Sequence, residues 1–214
     1  MYVPAHFNTP DLPPLHALMR AHPLGVLITH GGDGLDANHL PFELDSAQGE
    51  FGTLRAHVAR ANPVWRQLAE GDASAQVLVV FRAAQAYISP NWYPSKHAHH
   101  KQVPTWNYQV VHAHGQIQVR DDAKFLRGLV GRLTRTHEAS EPKPWTMAQS
   151  PREHIDALLT AIVGLEITVT RLEGKFKLSQ NKEEADRTGA AQALDARGQT
   201  ALAAEMRAAV RQPD

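Results

Sequence analysis

Short apolar or alternating runs, separated by tight glycine-rich turns, set the strongest limit on how this chain can fold. Leu24-Gly-Val-Leu-Ile-Thr-His30 is apolar and partly β-branched, which predicts a buried strand. Gly31-Gly-Asp-Gly34 supplies residues that tolerate positive φ, and Leu35 to Leu44 returns as the second arm of a hairpin. A turn over Ser46 to Gly49 leads to a strand through Phe51 to Val58. Gln76 to Arg82, Ala86 to Ser89, Thr105 to Val119 and Gly164 to Arg171 are further strands, with Gly115 a candidate bulge. Hairpins of this kind make an antiparallel or mixed sheet, closed as a small barrel with helices outside, rather than a doubly wound parallel sheet. The expected class is therefore mainly β with peripheral helices (α+β).

Helices fill the intervals. Leu15 to Arg20 is a short one, stopped by Pro23. Asn62-Pro63 reads as a cap and first position for Val64 to Glu70, closed by Gly71. Asp121 is the expected cap of a helix to about His137. Ser150/Glu153 and Asn181/Glu184 have capping-box spacing. Pro90 to Pro104 is expected as a long loop. Residues 1–180 are read as one domain, and residues 181–214 as a helical extension packed on it.

Composition removes several chemistries. With no cysteine, the chain has no disulfide framework, thiolate nucleophile or Cys-ligated metal. The 22 basic and 22 acidic residues balance, so nucleic-acid binding would need a local basic patch. There is no G-x-G-x-x-G after a strand and no P-loop. The opening residues lack a signal-peptide pattern and no apolar run reaches ~18 residues, so a cytoplasmic location and no membrane contact are expected. His97, His99 and His100 in the long loop, and His112 and His114 at i, i+2, are spaced as metal or haem ligands can be. Without neighbouring carboxylates they are read as surface histidines, and no metal is assigned.

Four segments carry residues suited to ligand chemistry. Gly52-Thr-Leu-Arg-Ala-His57, running on to Arg60 and Asn62-Pro63, combines guanidinium forks with a helix start. It is either a phosphate cradle or a solvated strand end. Tyr87-Ile-Ser89-Pro-Asn-Trp-Tyr93-Pro-Ser-Lys96 sets aromatic rings beside polar handles, or simply packs a barrel rim. In Val103-Pro-Thr105-Trp106-Asn107-Tyr108, Thr105 and Asn107 share one strand face while Trp106 and Tyr108 share the other. Gly174-Lys175-Phe-Lys177-Leu-Ser179-Gln180-Asn-Lys182 is a basic stretch read at the start of a helix, open to anion binding or to plain solvation.

Together with His39-Leu-Pro-Phe42, these motifs make the chain resemble the PaiB-like family of FMN-binding negative transcriptional regulators over about residues 1–187. The resemblance implies an FMN-binding split β-barrel of six strands and a homodimer with FMN at the subunit interface. It carries phosphate binding to Arg55 and His57, with Arg60 and Asn62. It places Ser89, Lys96, Thr105, Trp106 and Asn107 toward the ring or phosphate, and has Lys175, Lys177, Ser179 and Gln180 close the site. The Arg-Leu-His signature of the related pyridoxamine-phosphate oxidases is replaced here by Lys177-Leu-Ser179-Gln180, which points away from vitamin B6 oxidation.

The resemblance thus implies a flavin-dependent sensor with a regulatory output and DNA as a partner. The alternatives are a small FMN-dependent oxidoreductase or a haem-handling barrel. From Lys182 onward five basic residues meet six acidic ones. Ala201, Leu202, Met206, Ala209 and Val210 form an apolar stripe close to helical spacing. The tail is therefore expected to pack on the barrel or the partner subunit rather than to read DNA.

Overall fold

The computed structural model describes residues 1–32, 34–70 and 75–209. After a 3-10 turn at Ala5–Phe7 come β1 (Asn8–Thr9), α1 (Leu12–Ala21), β2 (Leu24–Gly31), β3 (Gly34–Pro41), β4 (Glu43–Asp45), β5 (Thr53–Ala59), α2 (Val64–Glu70) and β6 (Gln76–Ile88). A second 3-10 turn, Pro90–Trp92, leads to α3 (Pro94–His99), β7 (Thr105–Arg120) and α4 (Ala123–Glu138). A third, Met147–Gln149, precedes α5 (Arg152–Thr160), β8 (Ile162–Lys177), α6 (Glu184–Asp195) and α7 (Thr200–Ala208). Among the described residues no helix is long and apolar enough to cross a membrane.

The strands form one eight-stranded sheet ordered β3-β2-β6-β7-β8-β5-β4, with β1 added on β8. Six are long, and β1 and β4 are short additions of two and three residues. The pairs β2–β3, β2–β6, β4–β5, β5–β8 and β1–β8 are antiparallel. The chain divides into two compact units. One comprises Met19–Phe81 and Ala113–Leu172; the other comprises Met1–Leu18, Arg82–His112 and Glu173–Asp214.

The first unit is the barrel. The two ends of the strand order, β3 and β4, are consecutive in sequence with only Phe42 between them. A sheet whose edge strands are joined by one residue has to curl back on itself. Phe42 turns inward there and meets Phe81 edge-on, ring centroids 5.6 Å apart. Alternate residues Leu54, Ala56 and Val58 of β5 and Val163, Leu165 and Ile167 of β8 fill the interior. Leu126, Ile155 and Leu159 of α4 and α5 pack as a separate apolar cluster.

The second unit is built on the C-terminal helices. Ala190, Ala191, Leu194, Leu202, Ala203 and Met206 are buried with Ile88, Tyr93 and Leu178 in one apolar cluster. The apolar faces of α6 and α7 are therefore occupied within this unit. Val210 and the rest of the expected tail helix lie outside the described residues, as do Asp33 of the expected turn and Gly71.

Several local expectations are corrected. The runs at Gln76 to Arg82 and Ala86 to Ser89 form one continuous strand, β6. The expected loop from Pro90 to Pro104 contains two short helices, because Pro90 and Pro94 each stand at a first helical position. Asp122, not Asp121, caps α4 by accepting the Phe125 N–H at 2.7 Å. Neither capping box forms: α5 and α6 start after Pro151 and Glu183 without a side-chain cap. β8 continues to Lys177, so Gly174 to Lys177 is strand, paired with β1 at Asn8–Lys175, and not a helix start.

Gly115 is required by close approach within the barrel unit. A Cβ there would sit 2.5 Å from the Thr168 carbonyl oxygen and 2.6 Å from the Ile167 side chain. A backbone oxygen cannot move aside as a flexible side chain can. Gly115→Ala is expected to lower the stability of the protein by about 1–3 kcal/mol in denaturant unfolding; an unchanged midpoint would contradict this packing.

Candidate functional site

The structure distributes the thirteen sequence-derived site residues over the two units. Arg55, His57, Arg60 and Asn62 belong to the barrel unit, and the other nine to the helical unit.

In the barrel unit the basic groups already have counter-charges. Register places Arg55 beside Glu43 of β4 on one side and Glu166 of β8 on the other. Its Nε donates to Glu166 at 2.8 Å, its Nη1 to Asp45 at 3.3 Å, and its Nη2 to Gln48. Burial works against the charge, but the bonds to Glu166 and Asp45 and the field of Glu43 outweigh it, holding the guanidinium above its ordinary pKa. Arg60 makes a two-pronged pair with Asp121, at 2.8 and 2.5 Å, and its Nε donates to the Thr160 carbonyl at 2.7 Å. Asn62 caps α2 by accepting the Val64 N–H at 3.0 Å, and donates to Asn38 at 2.8 Å. His57 differs from the other three. Burial lowers its pKa by disfavouring the charged ring, and its buried Nδ1 has no hydrogen-bond partner.

The lysines of the helical unit differ from these arginines. Lys177 at the end of β8 donates to the Thr105 hydroxyl at 2.5 Å. Lys182 donates to Gln102 Oε1 at 2.7 Å, and Lys175 to the Tyr2 carbonyl at 3.1 Å. Every one of these acceptors is neutral, and among the described residues none of the three lysines is ion-paired. Aromatic rings flank them: Lys175 lies 5.6 Å from the Tyr2 centroid and 5.7 Å from that of Tyr108, and Lys182 lies 5.3 Å from Tyr93. Burial, and then repulsion by Lys175 and Lys182, push the Lys177 pKa below the usual lysine value.

A tight turn sets this arrangement. Ser179 has φ 66, a left-handed conformation that a side chain normally avoids. Three contacts fix it. Asn107 Nδ2 donates to Ser179 Oγ at 2.9 Å, the Lys182 N–H donates to the Ser179 carbonyl at 2.9 Å, and Gln180 Oε1 accepts the Leu178 N–H at 2.7 Å. Ser179 and Gln180 are buried and hold the turn from inside. Asn107 is fully buried and faces Ser179, with its Oδ1 left unpartnered.

The other sequence-derived residues fall nearby in the chain but differ in role. Ser89 caps the Pro90–Trp92 turn by accepting the Asn91 N–H. Lys96 lies in the last turn of α3. Trp106 is 53% exposed and meets Tyr87 edge-on at 6.3 Å. Asn107 thus stands on the packed face of β7 and Trp106 on the open one. Gln102, Asp186 and the role of Lys182 escaped the sequence reading, because their bonds join segments some 80 to 90 positions apart.

The flavin mononucleotide implied by the sequence resemblance is a phosphate monoester carrying a planar ring. Three unpaired ammonium groups, a hydroxyl and aromatic walls make a donor set that fits such a molecule, and an anion there would relieve the lysine repulsion. The paired guanidinium groups of the barrel unit fit a phosphate less well, since bringing one in would set it against Glu43, Asp45 and Glu166 at Arg55, or Asp121 at Arg60.

Comparison with known proteins supplies the family. Residues 1–171 match a family model described as "Putative FMN-binding domain". An uncharacterized protein of Emericella nidulans is 34% identical, with 88% of each chain covered. The Bacillus subtilis "Protease synthase and sporulation protein PAI 2" is 29% identical, over 87% of this chain and 85% of that one. Among solved structures, a "FAD and Heme binding protein" of Mycobacterium smegmatis superposes with a TM-score of 0.54 at 19% identity, covering 80% of this chain and 73% of that one. That likeness shows the fold, a split barrel. The chain belongs to the FMN-binding domain family whose model it matches, with FMN as the cofactor of that family.

Proposed function

We propose that this chain is a flavin-dependent sensor, in which the ligand or redox state of bound FMN sets a regulatory response. The observation that carries the reading is the group of Lys175, Lys177 and Lys182, held together on neutral acceptors. Lys177, Lys182 and Thr105 would hold the phosphate, with Lys175 adding to the field. When bound, the flavin supplies the electron-transfer chemistry, and the protein supplies charge and orientation. The name of the B. subtilis relative supports the regulatory half.

The response does not run through α6 or α7 as a recognition helix. Their apolar faces are buried, and their basic side chains are engaged. Arg187 donates to the Ala209 carbonyl, Arg197 to the Ala193 carbonyl, and Arg207 pairs with Asp195. In a homodimer of the kind the resemblance implies, the flavin would lie at the subunit interface. A small FMN-dependent oxidoreductase is the second reading. It is favoured by the lowered pKa of Lys177, which suits an ammonium that also gives up a proton.

Two outcomes are expected. FMN affinity, read by quenching of flavin fluorescence, should fall as pH rises through the Lys177 pKa. Because that pKa is lowered, the fall comes earlier than an ordinary lysine would give. Lys177→Gln should lose that limb and weaken binding roughly tenfold to a hundredfold, the scale of a lost charged hydrogen bond. A flat profile in the unmodified protein would contradict the assignment. To separate sensor from enzyme, oxidised and reduced FMN-loaded protein should differ in binding to promoter DNA or a protein partner. Steady turnover of an electron donor with no such difference would favour the oxidoreductase.

A further inference from the structure

The anion site has a support that the family motifs do not name. Asp186, in the first turn of α6, is 1% exposed, and among the described residues no ion pair is found for it. A buried carboxylate is costly unless its oxygens are met by donors. Here three donors meet them. The Ser95 N–H reaches Oδ1 at 3.0 Å, the Ser95 hydroxyl reaches Oδ2 at 2.5 Å, and Gln102 Nε2 reaches Oδ2 at 3.1 Å. Ser95 is the second residue of α3, and Tyr93, which precedes that helix, offers no side-chain cap. Asp186 therefore supplies from a distant segment the acceptor that the start of α3 lacks.

The same carboxylate fixes the polarity of the Gln102 amide. The amide nitrogen faces Asp186 and the Ser95 hydroxyl, which accepts from it at 2.7 Å. With Nε2 turned to the carboxylate, Oε1 has to face the other way, and there it accepts from Lys182 Nζ at 2.7 Å. A flipped amide would set its oxygen against Asp186 and its nitrogen against an ammonium. Lys182 is thus aimed by a neutral acceptor and keeps its whole charge for a ligand.

We propose that Asp186, acting through Ser95 and Gln102, is the positioning residue that holds Lys182 in the anion site. This rests on the reading of the lysine group as the place of the FMN phosphate. Asp186 touches no ligand itself; it sets where one of the three charges stands. Lys182 also lies over the Tyr93 ring, whose hydroxyl burial makes harder to ionise; the neighbouring Ser179 opposes that effect and the charge of Asp186 adds to it.

A double-mutant cycle on FMN affinity, run on the full chain, tests this. Lys182→Gln and Asp186→Asn should each weaken FMN binding by about tenfold, and the double variant should be no weaker than Lys182→Gln alone. Gln102→Glu sets one carboxylate oxygen on Lys182 and the other against Asp186, and should weaken FMN binding by a similar factor and lower the melting temperature as well. Should Asp186→Asn fail to fold, Gln102→Met takes its place in the cycle. Additive losses from Asp186 and Lys182 would make Asp186 merely structural and overturn the proposal. So would unchanged FMN affinity in Lys182→Gln when Lys177→Gln is impaired. If neither lysine variant alters FMN affinity, the anion-site reading itself fails, and this proposal with it.

Discussion

The repulsion that Lys175 and Lys182 exert on the partly buried Lys177 is the constraint on which the candidate anion site depends. Three ammonium groups kept close in a partly buried setting oppose folding, and a solvated surface would let them spread apart. They sit on a continuous strand and on a turn that three hydrogen bonds hold. β8 carries Lys175 and Lys177 as strand residues, and the Ser179 turn brings Lys182 back beside them. That turn costs backbone strain at Ser179, offset by the buried bonds from Asn107 and Gln180. An arrangement that spends both strain and charge repulsion points to a ligand that repays them.

The barrel unit shows the opposite economy. Arg55 lies between Glu43 and Glu166 on neighbouring strands, Arg120 also donates to Glu166, and Arg132 donates to Glu43. These are cross-strand and helix-to-strand charge pairs of the kind that fix register. Their worth at a half-exposed surface is modest singly, and greater as a connected network. Closure at Phe42 and the Gly115 contact define the barrel geometrically, while the charges lock it. The contrast lies in the candidate site residues: Arg55 and Arg60 of the barrel unit are ion-paired, whereas Lys175, Lys177 and Lys182 of the helical unit hydrogen-bond to neutral acceptors.

Much of this was legible in the chain. The hairpin of β2 and β3, the cap at Asn62 and the basic stretch from Lys175 to Lys182 all follow from local chemistry. The antiparallel class and the packing of Leu202 and Met206 followed from pattern as well. What was not legible depends on partners remote in sequence. Arg55 reads as a free phosphate fork until β8 brings Glu166 from 111 positions away. The glycine- and lysine-rich end of β8 reads as the start of a helix until β1 pairs with it. Asp186 reads as an ordinary first-turn acid on α6, and only the fold shows that it serves α3 and Gln102 instead.

On the proposed reading, the lysine group recognises the phosphate of FMN rather than its ring. Riboflavin shares the ring and lacks the phosphate, so the ratio of the two affinities isolates that contact. Isothermal titration of both flavins against the unmodified protein should give FMN an advantage of roughly a hundredfold, the worth of about two charged hydrogen bonds. In Lys177→Gln the ratio should fall to roughly ten, with riboflavin binding unchanged. Equal affinity for the two flavins, or a ratio untouched by Lys177→Gln, would contradict the account.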